Sequence, residues 1–152
     1  MSSYPWAAGY IDDGDRPKLV TSRFEHEDSY TLERYHATGG YAGLRGPRGR
    51  TPAGVHDEVR GATVLGRGGA GFPAGVKWGL MPAGKYPRYL VVNGDESEPG
   101  TYKDRLLMER DPHQLVEGCL IAAYAAGLSQ VFLYIRGEMP LAHERVAVAL
   151  ND

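Results

Sequence analysis

The second half of the chain carries two continuous apolar runs separated by an amphipathic stretch. Residues 89–93 (YLVVN) and 131–135 (VFLYI) have the length and composition of strands buried on both faces of a sheet. Residues 112–126 place their apolar side chains on one helical face, and Gly127 is a typical helix stop. With a last helix from Pro140, this order predicts an α/β fold with a Rossmann-like parallel sheet and right-handed crossover helices.

The first half of the chain has weaker periodicity. Residues 1–28 mix glycine, proline and acidic groups without a period, which predicts an irregular N-terminal extension before one α/β domain at residues 29–152. Residues 29–45 predict a short helix, a glycine stop and a second turn, and residues 46–50 (GPRGR) predict a further turn. Residues 51–60 begin with threonine and proline, the signature of a capped helix that leads into a glycine-rich loop.

Composition and charge narrow the class of partner. The chain has 152 residues, of which 42% are hydrophobic and 24% charged, and its formal net charge of −2 favours neither nucleic acid nor an anionic membrane. No apolar run approaches the ~20 residues that span a bilayer, so we expect a cytoplasmic protein without direct membrane insertion.

The single cysteine, Cys119, excludes an internal disulfide and a four-thiolate site supplied by this chain alone. We expect Cys119, on the apolar helix face, and His113, at the helix start, to be structural rather than ligands.

The glycine-rich loop is the first candidate for chemistry. Residues 66–71 (GRGGAG) match G-x-G-x-x-G and have almost no side chains, so backbone amides can approach a phosphate or a planar ring. The spacing alone is equally typical of a tight structural turn, because the long helix of a Rossmann fingerprint does not follow. Arg67 and Lys77 offer cations nearby, while Phe72 and Trp78 offer flat apolar surfaces. The combination suits a phosphorylated flat molecule.

An acidic segment, residues 93–100 (NGDESEPG), is the second candidate. It places Asp95, Glu96 and Glu98 just beyond the carboxyl end of the first strand, where open parallel sheets bind ligands. The alternative is a solvated acidic loop paired with nearby basic residues. The segment lacks the alternating oxygen ligands and central glycine of a calcium loop, so no metal site is predicted.

Together, residues 66–79 (GRGGAGFPAGVKWG) and 93–105 (NGDESEPGTYKDR) closely resemble the flavin- and NADH-binding component of respiratory complex I, the 51 kDa or F subunit. The resemblance continues through residues 111–113 (DPH), 117–119 (EGC) and 134–138 (YIRGE), and leaves out only the extreme N-terminus. It implies an incomplete FMN-binding domain, without the ubiquitin-like (SLBB) and iron–sulfur domains of that family.

The resemblance implies that FMN and NAD(H) are the cofactors and that hydride passes from NADH to FMN. Electrons would then reach iron–sulfur clusters in partner segments, since the family's [4Fe–4S] cluster has no ligands in this chain. The implied partners are the missing C-terminal half, a thioredoxin-like [2Fe–2S] subunit and a large iron–sulfur subunit, peripheral on the cytoplasmic face of the bacterial inner membrane. No side chain is implied as a proton-transfer catalyst. The flavin would lie against Gly66, Arg67, Gly68, Gly69, Ala70, Gly71 and Lys77, with Asn93, Asp95 and Glu96 at its polar edge and Phe72 and Glu98 near the nicotinamide nucleotide.

Three positions depart from the family pattern, and two alternatives stay open. Leu65 and Leu80 stand where the family usually has arginine and phenylalanine, and Gly94 stands where it has alanine. The same motifs occur in the diaphorase subunit of soluble NAD-linked hydrogenases and formate dehydrogenases. A truncated, non-catalytic fragment that serves only as an assembly piece is the other alternative. A sodium-translocating electron-transport subunit is less favoured, because its acidic segment lacks the DESEPG continuation.

Overall fold

A parallel pair of strands forms the centre of the fold. In the computed structural model, which describes residues 18–45 and 50–152, β1 (Tyr89–Gly94) pairs with β2 (Gln130–Ile135) along its whole length. Both predicted strands and their parallel pairing are confirmed, and each strand is one residue longer than predicted.

Two helices, rather than one, connect these strands. The helix α6 (Pro112–Ala126) has the predicted bounds: the Asp111 side chain caps its start, and Gly127, with φ of +61°, ends it in the left-handed region. The helix α5 (Lys103–Arg110) precedes it and is not among the elements that the sequence pattern predicts. The last predicted helix is confirmed as α7 (Pro140–Asn151).

The hydrophobic core lies on one side of the strand pair. Met108 of α5 packs there with Met139, Ala142 and Val146 from the start and body of α7, and Leu133 of β2 packs against this cluster. The opposite side of the strands is uncovered within the described residues. The expectation that both faces are buried is therefore met on one face only, and the exposed side chains of the other are Tyr89, Val91, Phe132 and Tyr134.

The N-terminal part consists of short helices that pack mainly on α6 and α4. The predicted short helix, glycine stop and second turn are confirmed as α1 (Leu32–Ala37), Gly39 with φ of +86°, and α2 (Ala42–Arg45). The predicted capped helix is confirmed as α3 (Pro52–Gly61), whose Gly54 amide donates to the side-chain oxygen of the preceding threonine, Thr51. The turn predicted at residues 46–50, apart from Arg50, and most of the N-terminal extension lie outside the described residues.

A half-buried carboxylate joins α1 and α2 to α6. Glu117 accepts hydrogen bonds from the Tyr35 hydroxyl at 2.5 Å, from the Tyr41 amide at 2.8 Å and from the Gly43 amide at 3.0 Å. Burial, followed by this hydrogen bond, raises the pKa of Tyr35 well above its ordinary range. The network therefore stabilises the packing of the N-terminal segment on α6 through charge-assisted hydrogen bonds.

A second polar contact holds the same interface. Arg23 pairs with the buried Asp111 at 3.0 Å and lies over the Tyr35 ring. His113 is fully buried, with Nδ1 3.0 Å from the Tyr41 hydroxyl, and among the described residues its Nε2 has no hydrogen-bond partner. In the part of the chain that the structure describes, no helix is long and apolar enough to cross a membrane.

Candidate functional site

The glycine loop, residues 65–73, is closed at its base by one antiparallel bridge between its two end residues. Just above this bridge, the Gly66 amide donates to the Phe72 carbonyl oxygen at 2.9 Å. Gly69 and Gly71 have φ of +116° and +64°, conformations that side-chain-bearing residues rarely adopt. The backbone path of the loop therefore requires glycine at these two positions.

The amides inside this loop are unpaired. Across the described residues, the backbone N–H groups of residues 67–72 donate no hydrogen bond, and this stretch is exposed or half-buried. The side chains of Arg67 and Lys77 likewise have no hydrogen-bond or ion-pair partner within that part of the chain. Phe72 is 48% exposed. Successive unpaired amides, with two unpaired cationic side chains in the same stretch of sequence, are groups of the kind that bind a phosphate.

The chain leaves this loop through α4 (Ala74–Gly79), a helix of six residues, so the long Rossmann-type helix is absent at this point as expected. The helix α3 holds α4 in place: His56 Nε2 lies 2.6 Å from the Gly75 carbonyl oxygen, and the His56 ring lies 6.3 Å from the ring of Trp78. Lys77 projects from α4 as an exposed residue.

The acidic segment begins where β1 ends. The Asn93 side-chain oxygen accepts the Asp95 amide at 3.0 Å, which turns the chain out of the strand. The Ser97 hydroxyl donates to the Asp95 carboxylate. Asn93 and Asp95 are thus fixed by short-range hydrogen bonds at the carboxyl end of the sheet.

Glu96 has a different environment from its neighbours. Its backbone lies in the left-handed region with φ of +50°. Its carboxylate accepts the Asp104 amide at 2.6 Å and the Arg105 amide at 2.9 Å, so it caps α5. Because this carboxylate is bonded to a helix terminus, the alternative of a solvated acidic loop paired with basic side chains does not apply to Glu96.

Glu98 is the third carboxylate of the segment, and it is exposed. Its carbonyl oxygen accepts the Thr101 amide at 3.2 Å, while its carboxylate has no partner among the described residues. Of the three acidic side chains, Glu98 is therefore the one that makes no side-chain hydrogen bond or ion pair in the described part of the chain.

One cavity lies between α4, the strand pair and the helices behind it. A space of about 410 Å³ lies between the strand pair and the helices α5 and α6, and Trp78, Asn93 and Gly94 contribute to its lining. Residues 65–73 do not line this cavity, and most of its wall is apolar. The cavity therefore adjoins α4 and the end of β1, whereas the glycine loop does not contribute to its wall. Cys119 also lines it, and burial raises the pKa of this thiol.

Arg136 contacts the acidic segment and was not among the predicted site residues. It follows β2 directly, donates to the Glu138 carboxylate at 3.0 Å and 3.3 Å, and reaches the Glu96 carbonyl oxygen at 3.4 Å. A backbone hydrogen bond and then the Arg136 guanidinium hold the pKa of Glu138 below its ordinary value. The position of Arg136 directly after β2, equivalent to that of Asp95 directly after β1, is the signal that could have identified it. Within the described residues, no group of three or more histidine, cysteine or acidic side chains could hold a metal ion.

The fold and the candidate site have the layout of a nucleotide-binding α/β protein. This layout combines parallel strands and crossover helices with an amide-rich cationic loop and with polar groups beyond the carboxyl end of a strand. Comparison with known families makes this more specific. The chain belongs to the family described as the Nuo51 FMN-binding domain (Complex1_51K), whose model matches residues 59–152. The resemblance found in the motifs is therefore confirmed.

Individual relatives agree with this family. The chain is 50% identical over 128 residues to the second NADH-quinone oxidoreductase F subunit of Rhizobium meliloti, covering 82% of this chain and 30% of that protein. It is 41% identical over 152 residues to the NADH-quinone oxidoreductase F subunit of Aquifex aeolicus, covering 100% of this chain and 35% of the relative. The crystal structure of an air-oxidized NAD+-reducing [NiFe]-hydrogenase contains a similar chain, with a TM-score of 0.64 and 31% identity over 90% of this chain and 24% of that one. The present chain thus spans about a third of the length of the curated relatives it matches.

Proposed function

We propose that this chain supplies the first part of an FMN pocket, and part of the adjoining NADH site, in an NADH dehydrogenase flavoprotein subunit. The glycine loop would hold the phosphate and one side of the flavin, and the acidic segment would meet its polar edge. This chain matches about a third of the length of its relatives, and the remaining part of such a subunit would complete the pocket.

The observation that carries this proposal is the unpaired state of the loop amides. Residues 67–72 present backbone N–H groups without internal partners, and each would gain a hydrogen bond from a phosphate or a flavin oxygen. Gly68, Gly69 and Gly71 have no heavy atom within 4 Å of the place that a β-carbon would occupy, so a flat ligand can approach the backbone there. The residues present therefore fit FMN.

The roles of the side chains follow from their surroundings. Arg67 and Lys77, which have no partner in the described parts of the chain, would pair with the phosphate. Asn93 and Asp95 would fix the polar edge of the ring from the end of β1. Phe72 offers a half-exposed ring to stack on the nicotinamide nucleotide.

Glu98 would accept the carboxamide N–H of NADH and disfavour negative charge on a reduced ring beside it. Its carboxylate is available for this because it has no other partner among the described residues. The chemistry that FMN would supply when bound is to accept a hydride from NADH and to release the electrons one at a time. The chain itself binds, orients and provides charge, and none of its side chains needs to transfer a proton.

The wider assembly is part of the same proposal. Electrons would leave for iron–sulfur clusters held by the C-terminal remainder, a thioredoxin-like [2Fe–2S] subunit and a large iron–sulfur subunit. The assembly would lie on the cytoplasmic face of the membrane. The hydrogenase similarity favours a second candidate, the diaphorase subunit of a soluble NAD-linked enzyme, in which the flavin chemistry is the same and the electron acceptor differs. Identity of 41–50% to the two NADH-quinone oxidoreductase relatives favours the first.

Flavin reduction tests this function. The chain would be combined with FMN and a complementing polypeptide, defined as the part of the Aquifex aeolicus relative that this chain does not match. Addition of NADH without oxygen should bleach the flavin absorbance, and ferricyanide should restore it. Bound flavin that NADH leaves oxidised would contradict the proposed NADH site, while leaving FMN binding to be judged separately.

A further inference from the structure

Three elements meet at Glu96. Glu96 lies just after the end of β1, and its carboxylate caps α5 by accepting hydrogen bonds from the Asp104 and Arg105 amides. Its carbonyl oxygen accepts a hydrogen bond from the Arg136 guanidinium, just after the end of β2. The neighbouring carboxylates have no such long-range contacts: Asp95 bonds within its own turn, and Glu98 has no side-chain partner in the described residues.

The backbone at Glu96 depends on these contacts. A φ of +50° is unfavourable for a residue with a β-carbon, so the conformation persists only where the surroundings hold it. The helix α5 provides a rigid support, because Met108 and Glu109 near its end are almost completely buried. The hydrogen bonds of the Glu96 carboxylate to α5 thus fix the acidic segment relative to the hydrophobic core.

We propose that Glu96 is the positioning residue of the acidic segment: by capping α5, it holds the main chain at Asp95 and Glu96 in the path that the flavin requires. This inference rests on the proposed FMN site and assigns Glu96 an indirect role in it. The direct contacts with the cofactor are then made by the main chain of this turn, by Asn93 and by Asp95.

Two isosteric substitutions in the same segment separate this role from a general effect of charge. Glu96→Gln removes the charge and turns an amide donor toward one helix amide, whereas Glu98→Gln removes the same charge from a side chain without partners among the described residues. For Glu96→Gln, we expect hydrogen exchange at the Asp104 and Arg105 amides to become about tenfold faster and the FMN dissociation constant to rise about tenfold. For Glu98→Gln, exchange at these two amides should stay unchanged.

A milder variant covers the case in which Glu96→Gln does not fold. Arg136→Lys keeps the charge but loses the planar fork that reaches Glu138 and Glu96. It should weaken FMN binding by about threefold with normal protection of α5.

The outcomes distinguish the possible failures. Weaker FMN binding with unchanged exchange in Glu96→Gln would show direct contact and overturn the inference. Faster exchange with unchanged FMN affinity would reduce Glu96 to a helix cap without influence on the pocket, and would overturn it as well. A wild-type chain that binds no FMN with the complementing polypeptide, although its α5 amides are protected, would instead contradict the proposed function.

Discussion

A β-carbon placed on Gly75 would lie 2.5 Å from the Cα atom of Arg60. The helices α3 and α4 are therefore in direct backbone contact, and the buried Gly75 is the residue that permits it. Because α4 follows the glycine loop immediately, this contact sets the position of the loop exit relative to the rest of the fold.

Substitution of Gly75 should destabilise the protein. We expect Gly75→Ala to lower the free energy of unfolding by about 2 kcal/mol, since backbone atoms cannot yield as a flexible side chain would. Urea denaturation measures this. Gly118→Ala is the matched control, because its added β-carbon meets nothing within 4 Å and alanine favours the helix α6. Equal stability of the two variants would contradict the close contact.

The Glu117 network offers a test of coupling. Tyr35→Phe removes one of the three donors to this carboxylate and should cost about 1–2 kcal/mol of stability, and Glu117→Gln should cost more because two backbone amides also lose their charged acceptor. A double-mutant cycle measured by urea unfolding should give a coupling energy above about 0.5 kcal/mol. Additive effects would mean that the tyrosine and the carboxylate do not interact.

His113 should make the protein sensitive to mild acid. Burial lowers the pKa of His113 below its ordinary value of 6.5, with a smaller opposing effect of Asp152 and a further lowering by His36. A lowered folded-state pKa means that the unfolded chain binds the proton more tightly. Stability is thus complete above the ordinary pKa and is lost as the pH falls from there through the folded pKa.

The pH test compares the wild type with His113→Gln, which cannot titrate. The wild-type melting temperature should fall between about pH 7 and about pH 5, before most carboxylates titrate. The variant should be less stable overall, because the contact with Tyr41 changes, but its curve should be flatter in this window. Parallel curves would assign the pH dependence to other groups.

Cys119 should react slowly while the protein is folded. Burial raises the pKa of its thiol and so lowers the fraction of reactive thiolate at neutral pH. We expect alkylation by iodoacetamide to be at least about tenfold slower in the native protein than in urea, and to accelerate as the pH is raised. Equal native and denatured rates, followed by mass spectrometry, would show that the thiol is accessible.

Local sequence signals predicted the elements that depend on local physics. The strands β1 and β2 were visible as apolar runs, and α6 was visible because Asp111, proline and Gly127 mark its ends within the chain itself. The helix α5 gave no such signal: Tyr102 at its N-cap makes no side-chain hydrogen bond, and the capping carboxylate comes from Glu96. That contact forms only once the segment after β1 has turned, and so the sequence pattern does not contain it.

The same distinction applies to the candidate site. The glycine loop and the acidic segment could be predicted from spacing, because each is a continuous stretch of sequence whose residue types indicate their chemistry. The different environments of Glu96 and Glu98, and the link from Arg136 to Glu96, depend on packing between β1, β2 and α5. The open face of the strand pair was also not predictable, because apolar runs indicate burial without showing what provides the cover.

FMN titration of the chain with the complementing polypeptide, followed by flavin fluorescence, tests the central claim most directly. Gly71→Ala strains the glycine loop, whereas Gly84→Ala places an equal strain elsewhere, since the two glycines have φ of +64° and +70° and open space around them. We predict saturable binding of one FMN per chain, weakened at least about tenfold by Gly71→Ala and unchanged by Gly84→Ala. Absence of binding, or equal affinity of the two variants, would contradict a flavin pocket built on this loop.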